Sequence, residues 1–392
     1  MPVRAPDTQR ILDAFDEELS RSADQLDTLR VPVGGLAAEL ANSRMLMNWL
    51  FDGGWVRWGW PEHVGGLGGS AIIRYEILER LALRGYDIPH HLQVLEVLGP
   101  VVVSHAPRLA AALLPSALRG DELWCQGFSE PEAGSDLAAL RTKATLRADR
   151  KFVINGQKIW TSYGAYADRM MMLARTGTVS DRHRGMVMLL VDLDSPGIER
   201  RPIALASGRE ELAEFFFTDV VVDMERLVGP VGSGWSVAMD LLQYERGGYA
   251  WMRMAIATNR LQELLRTTDV NPWNTERYAL AGSVVGRAYL NLAALRARTS
   301  ATLCRLTNGE VVGEQTSIDK VLLSTAEQDV FDACDALVGT EMLIGDDAAA
   351  KRWREEWWYS RAASIYGGAR EIQDTIIADK MMKLPKENVS GR

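Results

Sequence analysis

The chain has 392 residues, 47% of them hydrophobic, and a formal net charge of −8. That length exceeds one compact core and implies two or three packed units, and the acidic balance argues against a general nucleic-acid binder and suits a soluble cytoplasmic enzyme. The N-terminus is acidic and polar with no signal-peptide core, and no run is long enough to span a membrane.

Residues 6 to 120 read as helices. Ile11, Leu12, Phe15 and Leu19 form one apolar stripe opposite Asp13, Asp16, Glu17 and Arg21, and helical patterns recur over 37–50, 71–83 and 109–118. Gly65-Gly66-Leu67-Gly68-Gly69-Ser70 resembles a phosphate cradle but lacks a P-loop lysine and follows no clear strand, so it reads as a tight loop leading into a helix. From Trp124 to Val222 the pattern changes to short apolar runs at 152–154, 186–191, 215–217 and 220–222, the strands of a small β domain. Asn155-Gly156 reads as a type I′ hairpin turn, and Asp192-Leu193-Asp194-Ser195-Pro196-Gly197 as another turn. No βαβ alternation appears and no GxGxxG follows a strand, which argues against a nicotinamide-binding Rossmann domain. Beyond Gly234 the helical period returns over 235–265, 276–307, 311–343 and 369–382, a bundle of about four with a break at Asn271-Pro272-Trp273-Asn274. The expected architecture is α+β and multidomain: an N-terminal α-helical domain (1–121), a middle β-barrel-like domain (122–230) and a C-terminal four-helix bundle (231–392).

The stretch from Trp124 to Ser162 presents Ser129, Ser135, Trp160, Thr161 and Ser162 from backbone that turns sharply. An aromatic plane beside hydroxyls and amides is what a flat cofactor with hydrogen-bonding edges requires, although small residues at turns also fit a plain loop. Other chemistries lack their residues. The histidines are too scattered for a metal set, the three cysteines (Cys125, Cys304, Cys334) have no CxxC spacing and read as reduced and buried, and no GxSxG elbow exists.

Ser129-Glu130-Pro131-Glu132-Ala133-Gly134-Ser135-Asp136, followed by Asn155-Gly156-Gln157-Lys158-Ile159-Trp160, resembles the double flavin signature of the acyl-CoA dehydrogenase family. Trp60-Pro61-Glu62-His63-Val64-Gly65-Gly66, residues 215–234 and residues 365–373 extend the resemblance over nearly the whole chain. The resemblance implies the family's three-domain fold and an FAD. Gln126, Phe128, Ser129 and Ser135 would line the flavin, Phe128 and Ser129 closest to its ring, with Trp160 covering it, Thr161 among its binding residues and Ser162 near its N5. Tyr366 and Ala369 would belong to the C-terminal cofactor block. The implied activity is α,β-dehydrogenation of an acyl thioester, on CoA or a carrier protein, within lipid metabolism. Electrons would pass to an electron-transfer flavoprotein or similar acceptor, and the family's usual assembly is a tetramer.

Two departures from the family pattern matter. Many members carry their catalytic base directly after the tyrosine of the C-terminal block; here that block reads Ile365-Tyr366-Gly367-Gly368-Ala369, with no acid at 367. A subset resembling the long-chain and isovaleryl-type enzymes carries the base on the first bundle helix, where this chain has Tyr244-Glu245-Arg246. Glu245 is therefore the expected base, with Tyr244, Arg246 and Ser135 toward the substrate's thioester arm and the Gly367 amide available to the thioester oxygen. Gly247-Gly248 follow in mid-helix, where each glycine costs roughly 1 kcal/mol against alanine, a cost expected to clear space for a bulky, branched or polycyclic ligand. A structural Glu245–Arg246 salt bridge is the bland alternative.

The second departure concerns what a neighbouring subunit lends. The family's Arg-x-x-Phe-Gly block is absent from Val270-Asn271-Pro272-Trp273-Asn274, and Ala336-Leu337-Val338-Gly339-Thr340 lacks the expected glutamine and one glycine. The chain is thus expected in a homo- or hetero-tetramer with a homologous subunit. Two alternatives stand beside the dehydrogenase: a half-catalytic or structural subunit of a heteromer, and a flavin monooxygenase on the same fold, against which Glu245 argues. Trp353-Arg354-Glu355-Glu356-Trp357-Trp358-Tyr359 reads as packing against the bundle rather than as a subunit interface.

Overall fold

The structure, a computed structural model, describes residues 6–30, 34–267 and 275–385. Two compact units divide it: one runs up to Leu81 and from Gly85 to Tyr244, the other holds Ala82–Arg84 and the chain from Glu245 onward.

The first unit opens with helices α1 (Pro6–Arg21), α2 (Ala23–Leu26), α3 (Leu36–Asp52), α4 (Ala71–Leu83), α5 (His90–His105) and α6 (Pro107–Arg119). The stripe expected on α1 is real: Leu12, Phe15 and Leu19 are buried and Phe15 meets Trp55 edge-on. Burying each such side chain stabilises by about 1.5–3 kcal/mol. The glycine-rich stretch before α4 is a tight loop. The Gly59 amide donates to the Gly68 carbonyl, and a Cβ on Gly66 would stand 1.9 Å from the Trp60 carbonyl oxygen, so no side chain fits there. Helix α5 escaped the sequence pattern because it is apolar around most of its circumference, and burial leaves no polar face to set a period. Its one buried acid, Glu96, is matched by Arg74 of α4 in a two-pronged pair at 2.5 and 2.8 Å. The Arg74 guanidinium also donates to the Trp58 carbonyl and lies over the Trp60 ring, fixing the loop to the helices.

Eight strands follow: β1 (Trp124–Gly127), β2 (Lys143–Leu146), β3 (Lys151–Ser162), β4 (Arg169–Arg175), β5 (Met186–Asp192), β6 (Ile198–Ile203), β7 (Leu212–Asp223) and β8 (Leu227–Val228). They form one sheet in the order β6-β7-β3-β2-β4-β5-β8, with β1 parallel to β4. Phe152, Ile154, Met170, Met172, Val187, Leu189, Phe215 and Val220 share its core. The sequence reading missed the short β2 and β8 as well as β4 and β6. Strand β4 is buried on both faces and so does not alternate; β6, Ile-Glu-Arg-Arg-Pro-Ile, has three charged residues in its centre and no apolar run.

The Asn155-Gly156 hairpin turn is corrected. Strand β3 runs straight through it, and the β2–β3 reversal lies at residues 147–150 instead, with Arg150 at φ +61°. Asn155-Gly156 is a bulge where the β3–β7 register slips. The Asn155 amide nitrogen donates to the Asp219 carboxylate and its oxygen accepts from the Asp219 amide, so two irregularities face each other across the ladder. Gly156 is required because a Cβ would stand 2.6 Å from the Thr142 Cα.

The second unit is helical: α7 (Gly234–Thr267, its first residues in the first unit), α8 (Thr275–Thr307), α9 (Thr316–Val338), α10 (Thr340–Ile344), α11 (Ala348–Ala362) and α12 (Arg370–Ile376), with a π turn continuing to Met381. The single helix expected over 311–343 is corrected: it begins only at Thr316 and stops at Gly339, whose φ of +65° breaks it. The bundle also gains α11, whose aromatics had drawn attention without being assigned to a helix. Trp353 is buried against Phe331, in keeping with the packing reading, while Trp358 stays 44% exposed. The expected break at 271–274 lies outside the described residues.

Removing the Glu96 carboxylate leaves Arg74 charged and unmatched in the core, which costs roughly 3–5 kcal/mol. Glu96→Ala is therefore expected to lower the thermal midpoint sharply in a calorimetric scan, whereas Glu62→Ala, on the exposed turn nearby, leaves it in place.

Candidate active site

In the first unit, the candidate flavin residues converge through one buried cation. Lys158 is fully buried in β3, and its ammonium donates to the Phe128 carbonyl at 3.1 Å and the Glu130 carboxylate at 2.7 Å. Glu130 accepts two more hydrogen bonds, from the Arg141 and Thr142 amides, and its backbone exchanges a pair with Ala133. Burial alone would raise the Glu130 carboxyl, but the Lys158 charge and these donors bring it below the ordinary carboxylate value. Burial pushes Lys158 below its own ordinary value, with Glu130 opposing. The loop after β1 is thereby tied to β3 from inside. Arg175, at the end of β4, repeats the device downstream: its guanidinium donates to the carbonyls of Leu140, Ala138, Thr178 and Arg182. Sequence reasoning missed both residues, although a lone cation closing an apolar strand was a visible signal.

The tie brings Ser129 beside Trp160. The Ile159 amide leaves the β7 ladder and donates to the Ser129 carbonyl at 3.0 Å, where the β3–β7 register slips a second time. Trp160 then adopts φ +61°, an uncommon conformation for a large side chain that costs about 1–3 kcal/mol and persists only where surroundings fix it. The residue as a whole is 56% exposed. Ser162 is exposed, Ser129 and Gln126 are half-buried, Phe128 is buried, and Thr161 points inward with its hydroxyl buried and lacking a partner. Ser135 lies on an exposed turn. Strained backbone that exposes an indole, flanking hydroxyls and an orphaned buried hydroxyl fit a flat heteroaromatic group, and a flavin is such a group. The segment is further pinned by Tyr163, whose hydroxyl bonds to His90 Nδ1 at 2.9 Å and whose amide donates to the Glu211 carbonyl.

In the second unit, Glu245 meets the turn that follows α11. Gly367 and Gly368 both have left-handed φ, +64° and +95°. A Cβ on Gly367 would stand 2.7 Å from Glu245 Oε1, so the carboxylate from α7 occupies the space a side chain at 367 would enter. Arg246 Nε lies 3.4 Å from the Gly367 carbonyl, and burial lowers its guanidinium against the pull of Glu245. Arg246 thus braces this turn. Tyr366 is half-buried with its hydroxyl oxygen shielded from solvent, and Ala369 caps α12. Tyr244, in the first unit, is half-buried, and that burial raises its phenol. The ligand space expected beside Gly247-Gly248 is corrected at Gly247: a Cβ there would press on Thr302 at 2.9 Å and Leu306 at 3.1 Å, so the missing side chain permits close packing of α7 on α8.

Residues 125–220 match the acyl-CoA dehydrogenase middle domain and residues 232–382 the acyl-CoA dehydrogenase C-terminal domain. The chain belongs to the acyl-CoA dehydrogenase family of oxidoreductases. Its relatives include the acyl-CoA dehydrogenase IpdE1 of Mycobacterium tuberculosis (strain ATCC 25618 / H37Rv), 36% identical over 339 residues that cover 84% of each chain. Among solved structures, the Tcur3481-Tcur3483 steroid ACAD G363A variant superposes with a TM-score of 0.81 at 23% identity, covering 97% of this chain and 99% of that one. The ChsE4-ChsE5 complex from Mycobacterium tuberculosis gives 0.78 at 22%, covering 98% and 100%. At those identities the likeness is one of fold. No described helix is long and apolar enough to cross a membrane.

Two outcomes follow. Lys158→Met leaves Glu130 buried and unmatched and is expected to cost roughly 3–5 kcal/mol, with Lys158→Met/Glu130→Leu costing less than the sum of the single changes; thermal scans of the three variants read this directly. The Glu130 carboxyl is lower folded than unfolded, so its contribution is complete above the ordinary value of 4.5 and lost as pH falls through the folded one. Gly367→Ala is expected to cut turnover by pressing on Glu245, whereas Gly309→Ala, with φ +75° but open space around its Cβ, leaves turnover unchanged.

Proposed function

We propose that the chain is an FAD-dependent dehydrogenase of acyl thioesters in which Glu245 removes the proton from the α-carbon. A bound FAD would accept the hydride from the neighbouring carbon at N5. The observation that supports the reading is the 2.7 Å between Glu245 Oε1 and the Cβ position of Gly367: position 367, which has no acid of its own, has the Glu245 carboxylate close beside it. A carboxylate can take an α-proton only if the thioester carbonyl is held by donors that acidify it. The Gly367 amide is the donor assigned to that carbonyl, while Arg246 holds the turn. Gln126, Phe128, Ser129, Trp160, Thr161 and Ser162 are assigned to the flavin, with Tyr366 and Ala369 from the C-terminal block. Ser135 and Tyr244 are assigned to the thioester arm of an acyl-CoA or an acyl carrier protein, and an electron-transfer flavoprotein or similar acceptor would take the electrons.

A second reading concerns assembly. Residues 336–340 lack the glutamine that the family's subunits lend one another, and two structural relatives carry paired names, Tcur3481-Tcur3483 and ChsE4-ChsE5. We propose that this chain works beside a different homologous subunit that provides those groups. Stoichiometric flavin in a stable homo-oligomer of the chain purified alone would count against it.

The visible spectrum of the protein, with bleaching tested against a panel of straight, branched and polycyclic acyl thioesters, reads flavin retention and turnover together. Glu245→Gln is expected to lower turnover with an artificial acceptor by roughly 10²–10⁴-fold while the flavin spectrum stays intact. Full turnover in that variant would remove the dehydrogenase mechanism.

A further inference from the structure

His90 and His91, adjacent at the start of α5, have no task in the reaction above, yet both belong to a network that ends beside Ser162. Ser43 Oγ, on α3, accepts from the His90 amide at 2.8 Å and lies 2.9 Å from His91 Nδ1. Its hydroxyl proton is then directed at that nitrogen, which carries none. Burial, with Arg44 and His90 nearby, keeps the His91 ring neutral by lowering it to about 4. The His90 ring is left to Tyr163. Its Nδ1 is 2.9 Å from the phenol oxygen, and the two ring centres are 4.8 Å apart.

Tyr163 is held at its other end as well. Its amide donates to the Glu211 carbonyl at 2.7 Å. Two residues before Glu211, the Arg209 guanidinium donates to both carboxylate oxygens of Glu39 at 2.9 and 2.7 Å and stands 3.7 Å from the Glu211 carboxylate. Glu39 and Ser43 are one helical turn apart on α3, and Leu36 and Leu40 of the same helix share the sheet core with Tyr163. Helix α3 thus reaches the amide of Tyr163 through the residues before β7 and its phenol through α5.

The backbone at Tyr163 needs such support. Its φ is +57° and that of Trp160 is +61°, so two aromatic residues within four adopt left-handed conformations. Each costs roughly 1–3 kcal/mol. Between them, Thr161 and Ser162 pair with Ala213 and Leu212 of β7. The Ile159–Ser129 bond fixes one end of this arc, and Tyr163 fixes the other.

We propose that Tyr163 is a positioning residue for the flavin: through His90 and Glu211 it sets the backbone from which Trp160 and Ser162 meet the ring. The proposal rests on the reading of those two residues as flavin contacts. Apparent affinity falls with the fraction of protein that already holds the binding shape. Loosening the arc therefore weakens FAD without removing any group that touches it.

Tyr163→Phe keeps the ring and removes the phenol. Loss of that hydrogen bond is expected to raise the FAD dissociation constant roughly five- to tenfold and to shift the flavin absorption band, both read on the purified assembly that carries FAD. In the flavin-free protein, amide exchange over residues 160–164, followed by mass spectrometry, is expected to quicken. His90→Leu should reproduce these changes, and the double variant should be no worse than either single one. His90→Asn, which returns a polar atom to the place of Nδ1, is expected to bind FAD as the unaltered protein does. Tyr163→Phe and His90→Leu proteins with lower thermal midpoints but unmoved FAD affinity and band overturn the proposal, as does a His90→Asn protein as weak as His90→Leu. Trp160→Ala separates the two readings. If it binds FAD normally, the flavin reading itself is wrong; if it binds FAD weakly while Tyr163→Phe binds normally, only the role of Tyr163 falls.

Discussion

The buried Lys158–Glu130 pair is the constraint on which the flavin-signature segment depends. A loop rich in small residues has no shape of its own, and Phe128 to Ala133 contains Pro131 and no apolar period. One ammonium bonded to a carbonyl at its start and a carboxylate two residues later makes it part of the sheet. The same closure draws the Ile159 amide out of the ladder toward Ser129, and the resulting slip leaves Trp160 in left-handed backbone with its ring turned to the outside. The local strain at the tryptophan is thus offset by an electrostatic tie two residues away.

The second unit solves a different problem by geometry. Position 367 is a left-handed glycine, and the carboxylate of Glu245 arrives from α7 close to where a side chain there would stand. Arg246 and Lys320 converge on the same turn through its carbonyls, so the residues around 367 are held even though the one at 367 has no side chain to hold.

The order of helices, sheet and helices was legible because amphipathic stripes and apolar runs report period directly, and the flavin signature was legible because its residues are consecutive. The failures have physical causes. Helix α5 and strand β4 are buried around most of their surface and lose the alternation that marks an element. Asn155-Gly156 has turn chemistry, but a left-handed or widened backbone suits a bulge as well as a hairpin, and the partner that decides between them, Asp219, is far away in sequence. Lys158, Arg175 and Lys320 were passed over because nothing local marks a charge as buried until its carbonyl partners, scattered along the chain, are seen around it. Gly247 was noticed and given the wrong neighbour, since nothing local says whether a missing side chain admits a ligand or another helix.

The tight fit of Gly247 against Thr302 and Leu306 bears on how such an enzyme tolerates change. Two residues after the acid, α7 is seated on α8 with no room for even a methyl group, so the peptide carrying Glu245 cannot slide or rotate without disturbing the bundle. An acid hung from a turn inherits every rearrangement of that turn; one hung from a clamped helix does not. The seat of Glu245 is thus set by the contact of α7 with α8, while the glycines of the 366–368 turn keep clear the space that the carboxylate fills.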